Sequence, residues 1–380
     1  MNDQRVKLLY VNMSIDPVGG GGTAERTVQI AKAVAGMNCE CSLMALNIGI
    51  TDELRDNLNN ISLILLKCIN KRFYIPEFDF SVVDDAVKDS DMVHLMGHWT
   101  LINAIAYYYI RKYDKPYTIC PAGALPVFGR SKLLKILYNT FIGKKILGNA
   151  DLCVAITEKE RSDFYSCQVS DEKIVLISNG INFEDYKYKD PRFFIKKFNT
   201  QKKIILFVGR LNYIKGPDIL VNAFIEFTKI NRDYQLVMIG PDEGMQVVME
   251  NIIQHSAIDT DTIDDIIFAG YIGGKEKSMA YHAADLVVIP SRQEAMSIVV
   301  LEAGISGTPV IITDQCGFDQ VEDIDGGLVV PATIEGIRSG MEQLLMDPDL
   351  LSRKGDNLKR FCRSHYTWTV AAEKYLMLYR

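Results

Sequence analysis

The chain lacks the features that mark specialised sequence classes. Its eight cysteines (39, 41, 68, 120, 153, 167, 316, 362) form no Cys-x-x-Cys pair and are scattered through apolar segments. Neither a zinc site nor a disulfide framework is suggested, and a reducing compartment fits. No apolar run approaches the ~18 residues that a membrane-spanning helix needs, and there is no low-complexity tract and no short repeat. The first residues, Met1-Asn-Asp-Gln-Arg-Val-Lys, lead into a strand-like segment without the apolar core of a secretory signal. A cytoplasmic location is the expectation. Positive charge is not in excess either: 42 Lys and Arg against 48 Asp and Glu leave a net charge of −6. Whole-molecule nucleic-acid binders are normally basic, so no nucleic-acid partner is expected.

What is present is ordinary for a globular protein, with 48% hydrophobic and 24% charged residues. A length of 380 residues exceeds what one core organises, so two domains are expected. In the first half, short apolar runs at 6–11, 41–46, 61–66, 92–95, 117–120 and 152–156 read as strands. Helical spacing at 23–35 and 101–113 separates some of them. The second half repeats the scheme with strands at 204–208, 235–239, 266–268, 286–289, 310–312 and 327–330. Strands alternating with helices imply an α/β fold with mostly parallel sheets, covered on both faces. The polar, basic segment 186–203 marks the boundary, giving domains at 1–190 and 200–364. The helical, aromatic end at 365–380 is expected to cross back to the first domain. Two doubly wound halves facing each other would hold a ligand near the C-terminal ends of both sheets.

Three constellations carry chemistry. Gly19 to Gly22 lies between the first strand and a helix, where free amides and the helix dipole favour an anion. Gly19, Gly21 and Ala24 formally match a G-x-G-x-x-A dinucleotide fingerprint. The connection from Val11 is long for that turn, and the second strand ends in Asn47 where a ribose-binding acid belongs. A glycine loop with no ligand is the other reading. Next, strand 204–208 runs into Gly209, Arg210 and, five residues on, Lys215, two cations suited to a diphosphate. Third, Glu294 and Glu302 bracket seven residues, Ala-Met-Ser-Ile-Val-Val-Leu. If Ser297 opens a helix, the amides at 296–298 face an anion with one acid on each side, able to accept from sugar hydroxyls. Taken singly, each of these also reads as surface charge or a helix cap.

Together with Ile177-Ser-Asn-Gly-Ile-Asn and Gly307-Thr-Pro-Val, these patterns resemble the retaining nucleotide-sugar glycosyltransferases of family four (glycosyl transferases group 1). The resemblance spans nearly the whole chain and implies the GT-B fold, two Rossmann-like doubly wound domains facing across a cleft. It implies that Arg210 and Lys215 hold the donor diphosphate, that Glu294 contacts the transferred sugar and that Glu302 binds the nucleotide ribose. The amides of Met296, Ser297 and Ile298 would face the phosphates, Gly20, Gly21 and Gly22 would close on the donor, and His98 would reach the donor sugar. His94 reads as a strand histidine. The resemblance further implies a front-face reaction with no side-chain nucleophile, in which the leaving phosphate takes the acceptor proton. No cofactor or metal is required by that scheme. The pairs Asp259/Asp261, Asp323/Asp325 and Asp347/Asp349 read as loop acids. Two departures stand out: Glu294-Ala-Met replaces the frequent Glu-Gly-aromatic, and Pro121-Ala-Gly123 lacks the histidine many relatives carry.

Between 111 and 145 lie eight basic residues (111, 112, 115, 130, 132, 135, 144, 145) and one acid, Asp114, with Leu133, Leu134, Ile136, Leu137, Phe141 and Ile142 interleaved. Such a stretch fits peripheral contact with an anionic membrane, on the inner face of the cytoplasmic membrane, or an acidic lipid-linked acceptor. A solvated face over a core-packing stripe is the alternative. The partners expected are a nucleotide-sugar donor and a glycan or lipid-linked saccharide, as in bacterial surface-polysaccharide assembly (O-antigen, capsule or exopolysaccharide). The competing classes are a nucleotide-sugar epimerase, a glycoside phosphorylase, an NAD-dependent oxidoreductase and a non-enzymatic sugar-nucleotide sensor.

Overall fold

Central strands of both sheets are apolar on both faces, as a parallel sheet covered by two helix layers requires. The computed structural model describes residues 5–16, 19–127, 131–256, 258–318 and 320–378. It divides into two compact units, Met1–Gly180 with Trp368–Arg380, and Ile181–Thr367.

The first unit has seven parallel strands: β1 (Lys7–Val11), β2 (Glu40–Leu46), β3 (Ser62–Leu66), β4 (Met92–Met96), β5 (Tyr117–Cys120), β6 (Leu152–Ala155) and β7 (Ile174–Leu176). They pair in the order β3-β2-β1-β4-β5-β6-β7. Every residue of β4 is buried, which is why its run is continuous and not alternating. Helix α1 (Gly21–Ala35) follows β1 and α2 (Leu101–Tyr113) follows β4. The α2 helix shows how locally its limits are set. The Thr100 side chain accepts from the Asn103 amide at the start, and Ile102, Ala106 and Ile110 share the buried face. Asp114 stops it in the left-handed conformation (φ 49°), two residues before Pro116. Helix α3 (Lys132–Tyr138) precedes β6.

The second unit has six parallel strands: β8 (Lys203–Val208), β9 (Tyr234–Ile239), β10 (Ile266–Gly270), β11 (Leu286–Ile289), β12 (Val310–Thr313) and β13 (Gly327–Val330). Their order is β10-β9-β8-β11-β12-β13. Leu220, Phe224 and Phe227 from one helix, with Ile337, Met341 and Leu344 from another, pack on its buried strand residues. Helix α4 (Gly274–Ala283) precedes β11 and α5 (Ile298–Ser306) follows it. In both sheets the strand order reverses once, between β1 and β4 and between β8 and β11. In open α/β sheets such a reversal is where loops leaving the C-terminal ends of adjacent strands diverge.

Helix α6 (Trp368–Met377) belongs to the first unit, packed on α1. The fully buried Arg26 of α1 ties it there, donating to the Ile177 carbonyl at 2.6 Å, Asn179 Oδ1 at 2.9 Å and the Tyr375 hydroxyl at 3.4 Å. This is the work of the Ile177-Ser-Asn-Gly segment: two of its acceptors take hydrogen bonds from a buried cation.

Two expectations are corrected. The division falls between Gly180 and Ile181, upstream of 186–203, because that segment is bonded into the second unit. Tyr186 donates to Glu302, the Tyr188 carbonyl accepts from Ser278, and Phe193 and Phe194 are buried. The glycine run is no extended loop, since Gly21 and Gly22 form the first turn of α1 with Gly20 at its cap. An edge strand (β7) and a small hairpin, Cys68–Asn70 with Ile75–Pro76, were not anticipated.

Candidate functional site

In the second unit the reversal point carries the residues expected to bind a donor. After β8 the chain turns through Asn212, whose side chain accepts the Lys215 amide at 3.0 Å. Gly216 follows at φ +65°; a Cβ there would lie 2.1 Å from the Pro290 carbonyl. Only glycine lets this loop press against the one leaving β11. The contact delivers Lys215 Nζ to Glu294 Oε1 at 2.8 Å, with both side chains largely buried. Ser291 donates to the same oxygen at 2.6 Å. Gly317 (φ +64°) plays the matching part behind Glu294, where a Cβ would meet the Ala295 carbonyl at 2.1 Å.

Helix α5 starts beside this pair, with Ser297 at its cap. The Ser297 hydroxyl is buried and has no hydrogen-bond partner among the described residues. A helix start with an unsatisfied buried hydroxyl is suited to an anion with acceptor oxygens. One expectation changes here: the Ser297 amide donates to the Cys316 carbonyl at 3.1 Å. The Met296 and Ile298 amides have no such partner among the described residues and remain the donors on offer.

Glu302, one turn into α5, is buried and held from three sides. Oε1 accepts from the Tyr186 hydroxyl and Lys277 Nζ, each at 2.6 Å, and Oε2 from the Tyr281 hydroxyl at 2.5 Å. Burial, reinforced by this carboxylate, drives the Tyr281 phenol well above its ordinary pKa, so it stays a donor. A carboxylate offers about four acceptor directions, which leaves room on Oε2 for one more donor.

Arg210 is not drawn into the Lys215–Glu294 cluster. It is exposed and pairs with Glu243 at 3.0 Å, and hydrogen bonds from Asn212 and charge from Arg210 hold the Glu243 carboxyl below the usual range. Sequence reasoning missed Arg292, which locks the two loops. Its guanidinium forks onto Asp218 at 2.8 and 2.6 Å, donates to the Tyr213 carbonyl and lies 4.1 Å over the Tyr213 ring. Its position three residues after strand 286–289, level with a Tyr-Ile-Lys-Gly-Pro-Asp turn, is the only trace of this in sequence.

In the first unit, Gly20 to Gly22 and His98 follow the neighbouring strands β1 and β4, again at the reversal point. A Cβ on Gly97 would lie 4.0 Å from Thr23 Cγ2, so the His98 loop abuts the first turn of α1. His98 is buried, and burial pushes its pKa down to about 4. It is therefore neutral near pH 7. His94 is a packed strand residue, stacked on Tyr10 and bonded to Thr118 at 2.6 Å. The Gly123 amide of the Pro121-Ala-Gly123 segment donates to buried Glu160 at 2.6 Å.

The basic stretch is several elements. Arg111 and Lys112 end α2, Lys112 pairs with Asp84, and Lys115 donates to the Ser90 carbonyl; Arg130 lies outside the described residues. Lys132 and Lys135 lie in α3, Asn139–Gly143 form a π-helical turn, and Lys144 and Lys145 start the next helix, Lys144–Gly148. Leu133, Leu134, Ile136, Leu137 and Phe141 are exposed, which overturns the core-packing stripe for these five. Ile142, the sixth residue of that stripe, and Tyr138 are partly buried against the core, and Ile146 and Leu147 lie within it. No helix among the described residues is long and apolar enough to cross a membrane.

Comparisons with known proteins bear on the fold and the family. The family model described as Glycosyltransferase Family 4 matches residues 20–185, and that described as Glycosyl transferases group 1 matches 189–361. An uncharacterised glycosyltransferase of Methanocaldococcus jannaschii is 26% identical over 245 residues, 62% of this chain and 61% of that protein. The match thus spans less than two thirds of that relative's length. HepE of Anabaena, solved with UDP and glucose, has TM-score 0.78 at 15% identity, covering 98% of this chain and 99% of that one. WaaG, a glycosyltransferase involved in lipopolysaccharide biosynthesis, has TM-score 0.69 at 17% identity, covering 97% and 98%. These structures show the shared GT-B architecture, two parallel-sheet Rossmann-like domains. The chain belongs to the family-four, group 1 glycosyltransferases.

Proposed function

We propose that the chain is a retaining glycosyltransferase that moves a sugar from a nucleoside diphosphate donor to a glycan or lipid-linked saccharide. The observation that carries this is the Lys215–Glu294 pair beside the unsatisfied Ser297 hydroxyl at the start of α5. At rest Lys215 and Glu294 neutralise each other. A donor would separate them, its diphosphate taking Lys215 and the helix-start donors while a sugar hydroxyl takes Glu294. Arg210, exposed and paired at the surface with Glu243, can swing to the same diphosphate, since such pairs contribute ~0–1 kcal/mol. His98 is assigned to the donor sugar and Glu302 to the ribose, through its remaining acceptor direction.

The bond from the anomeric carbon to the diphosphate oxygen breaks, and the acceptor hydroxyl forms its bond on the same face. Its proton passes to the departing phosphate oxygen. The protein's contribution is electrostatic: Lys215, Arg210 and the Met296 and Ile298 amides meet charge that grows on the leaving group. No metal is assigned a role. HepE, bound to UDP in its crystal structure, supports a uridine diphosphate donor, and WaaG supports a role in surface-polysaccharide assembly. The exposed apolar and lysine-bearing segment from Lys132 to Lys145 supports an acceptor held at an anionic membrane.

The test is a panel of UDP-, GDP-, ADP- and dTDP-sugars with NAD and NADP, followed by ligand-observed NMR and slow donor hydrolysis. Binding and hydrolysis of one donor, lost in Arg210→Ala and Glu294→Ala, are expected. Binding of NAD with no response to any sugar nucleotide would sink the proposal.

A further inference from the structure

His98 Nε2 lies 2.9 Å from Asn139 Oδ1, and Trp99 Nε1 lies 3.0 Å from the same atom. An indole nitrogen only donates, so the Asn139 atom facing it must be the oxygen and not the amide nitrogen. The same oxygen faces His98, whose Nε2 must therefore carry a hydrogen. A neutral imidazole with Nε2–H has a lone pair on Nδ1. His98 is 2% exposed, and its Nδ1 has no partner among the described residues. A buried acceptor left open is costly unless a ligand completes it. What completes it is a donor, a hydroxyl or N–H group, and never a bare phosphate or carboxylate oxygen.

We propose that Asn139 is a positioning residue that fixes His98 in the Nε2–H tautomer, keeping Nδ1 as an acceptor for a ligand hydroxyl. Its placement supports a dedicated role. Asn139 begins the π-helical turn after α3, an irregularity that recurs at functional sites. Tyr138 closes the other side of the imidazole, ring edge to face at 5.6 Å, with its hydroxyl on the Thr100 carbonyl at 3.2 Å. Lys135 covers Trp99 at 4.1 Å. No residue of helix α3 is fully buried; Tyr138 packs against the hydrophobic core, and these polar and aromatic contacts with the His98 loop help seat the helix. Identification of the ligand hydroxyl as one on the donor sugar rests on the function proposed above; the tautomer does not.

The experiment uses the full chain with 15N-labelled histidine and long-range proton–nitrogen correlation spectra, assigned by His98→Gln. Wild type is expected to show His98 protonated at Nε2 only. Asn139→Leu should give a mixture or the Nδ1–H form, and Asn139→Asp, which keeps an oxygen there, should restore the wild-type pattern. Nδ1–H in wild type, or an unchanged tautomer in Asn139→Leu, would overturn the proposal; the first needs no variant to fold. Donor hydrolysis separates the two ideas. A fall of roughly tenfold in kcat with little change in KM in Asn139→Leu, reversed in Asn139→Asp, is expected from one hydrogen bond lost in the transition state. A switched tautomer with unaltered hydrolysis would uphold the role of Asn139 and refute the assignment of His98 to the donor.

Discussion

Replacing Arg292 by alanine separates what holds the candidate site from what performs its chemistry. The guanidinium bridges the loops that carry Lys215 and Glu294: its hydrogen-bond partners among the described residues are Asp218 and Tyr213, and the Arg292 amide donates to the Ile214 carbonyl at 2.7 Å. A charge-assisted hydrogen bond contributes ~1.5–3 kcal/mol. Both side chains of the Arg292–Asp218 pair are about a quarter exposed, so water screens part of that. Asp218, in the first turn of the helix Pro217–Thr228, keeps favourable dipole contact once unpaired. The net cost is about 2 kcal/mol, or a drop of roughly 4–8 °C in the transition of a unit of this size. Arg292→Lys restores charge without the fork and should recover less than half. Calorimetry gives the stability, and donor hydrolysis the consequence: a fall of about tenfold or more in kcat/KM, because the Gly216–Pro290 contact no longer sets the spacing of Lys215 and Glu294. A loss under ~0.5 kcal/mol with normal hydrolysis would refute the reasoning.

Three further outcomes are expected. His94 and His98 are buried and neutral, with pKa values pushed down to about 3 and about 4. Unfolded histidine titrates near ~6.5, so below that pH the unfolded chain binds protons the folded one refuses, and stability falls as pH falls toward 4. From pH 7 to 5.5 the loss is about 1.2 kcal/mol per histidine by urea titration, and His94→Phe should remove one share; equal stability at both pH values would contradict this. Glu160, whose pKa burial raises, opposes the trend at the acid end. Tyr281→Phe removes one of three donors to Glu302 and should cost about 1–2 kcal/mol by urea titration. It should also weaken nucleoside diphosphate affinity in calorimetric titration, whereas unchanged affinity would take Glu302 off the ribose. Finally, Lys132, Lys144 and Lys145 changed together to Glu should cut binding to anionic vesicles by about a hundredfold or more, at ~1 kcal/mol per lysine. Equal binding by wild type and variant would remove the membrane from the proposal.

The strands were legible because burial on both faces demands uninterrupted apolar runs. Those expected at 117–120, 286–289 and 327–330 are the observed strands without adjustment. Strand β7 escaped because a three-residue strand at a sheet edge, with only Ile174 buried and Val175 and Leu176 part-buried, carries no such demand. Segment 186–203 looked like a linker because it is polar, yet two of its tyrosines and two phenylalanines belong to the second unit. Residue type and order made Lys215, Glu294, Glu302 and His98 visible as candidates. Their partners were not visible: Tyr186 reaches Glu302 across 116 positions and Asn139 reaches His98 across 41.

Apolar periodicity, glycines at forced turns and capping side chains act over a few residues, so sequence alone determined the two α/β halves and the loops that leave their strand ends. Pairing is set by distance in space. Only the tertiary structure decided that Lys215 rests on Glu294, that Arg210 rests elsewhere, that the Ser297 amide is already committed, and that His98 keeps its open lone pair on Nδ1. Hydrogen bonds and ion pairs depend on ångström separations that strand order and loop packing impose, and no local pattern of residues encodes them.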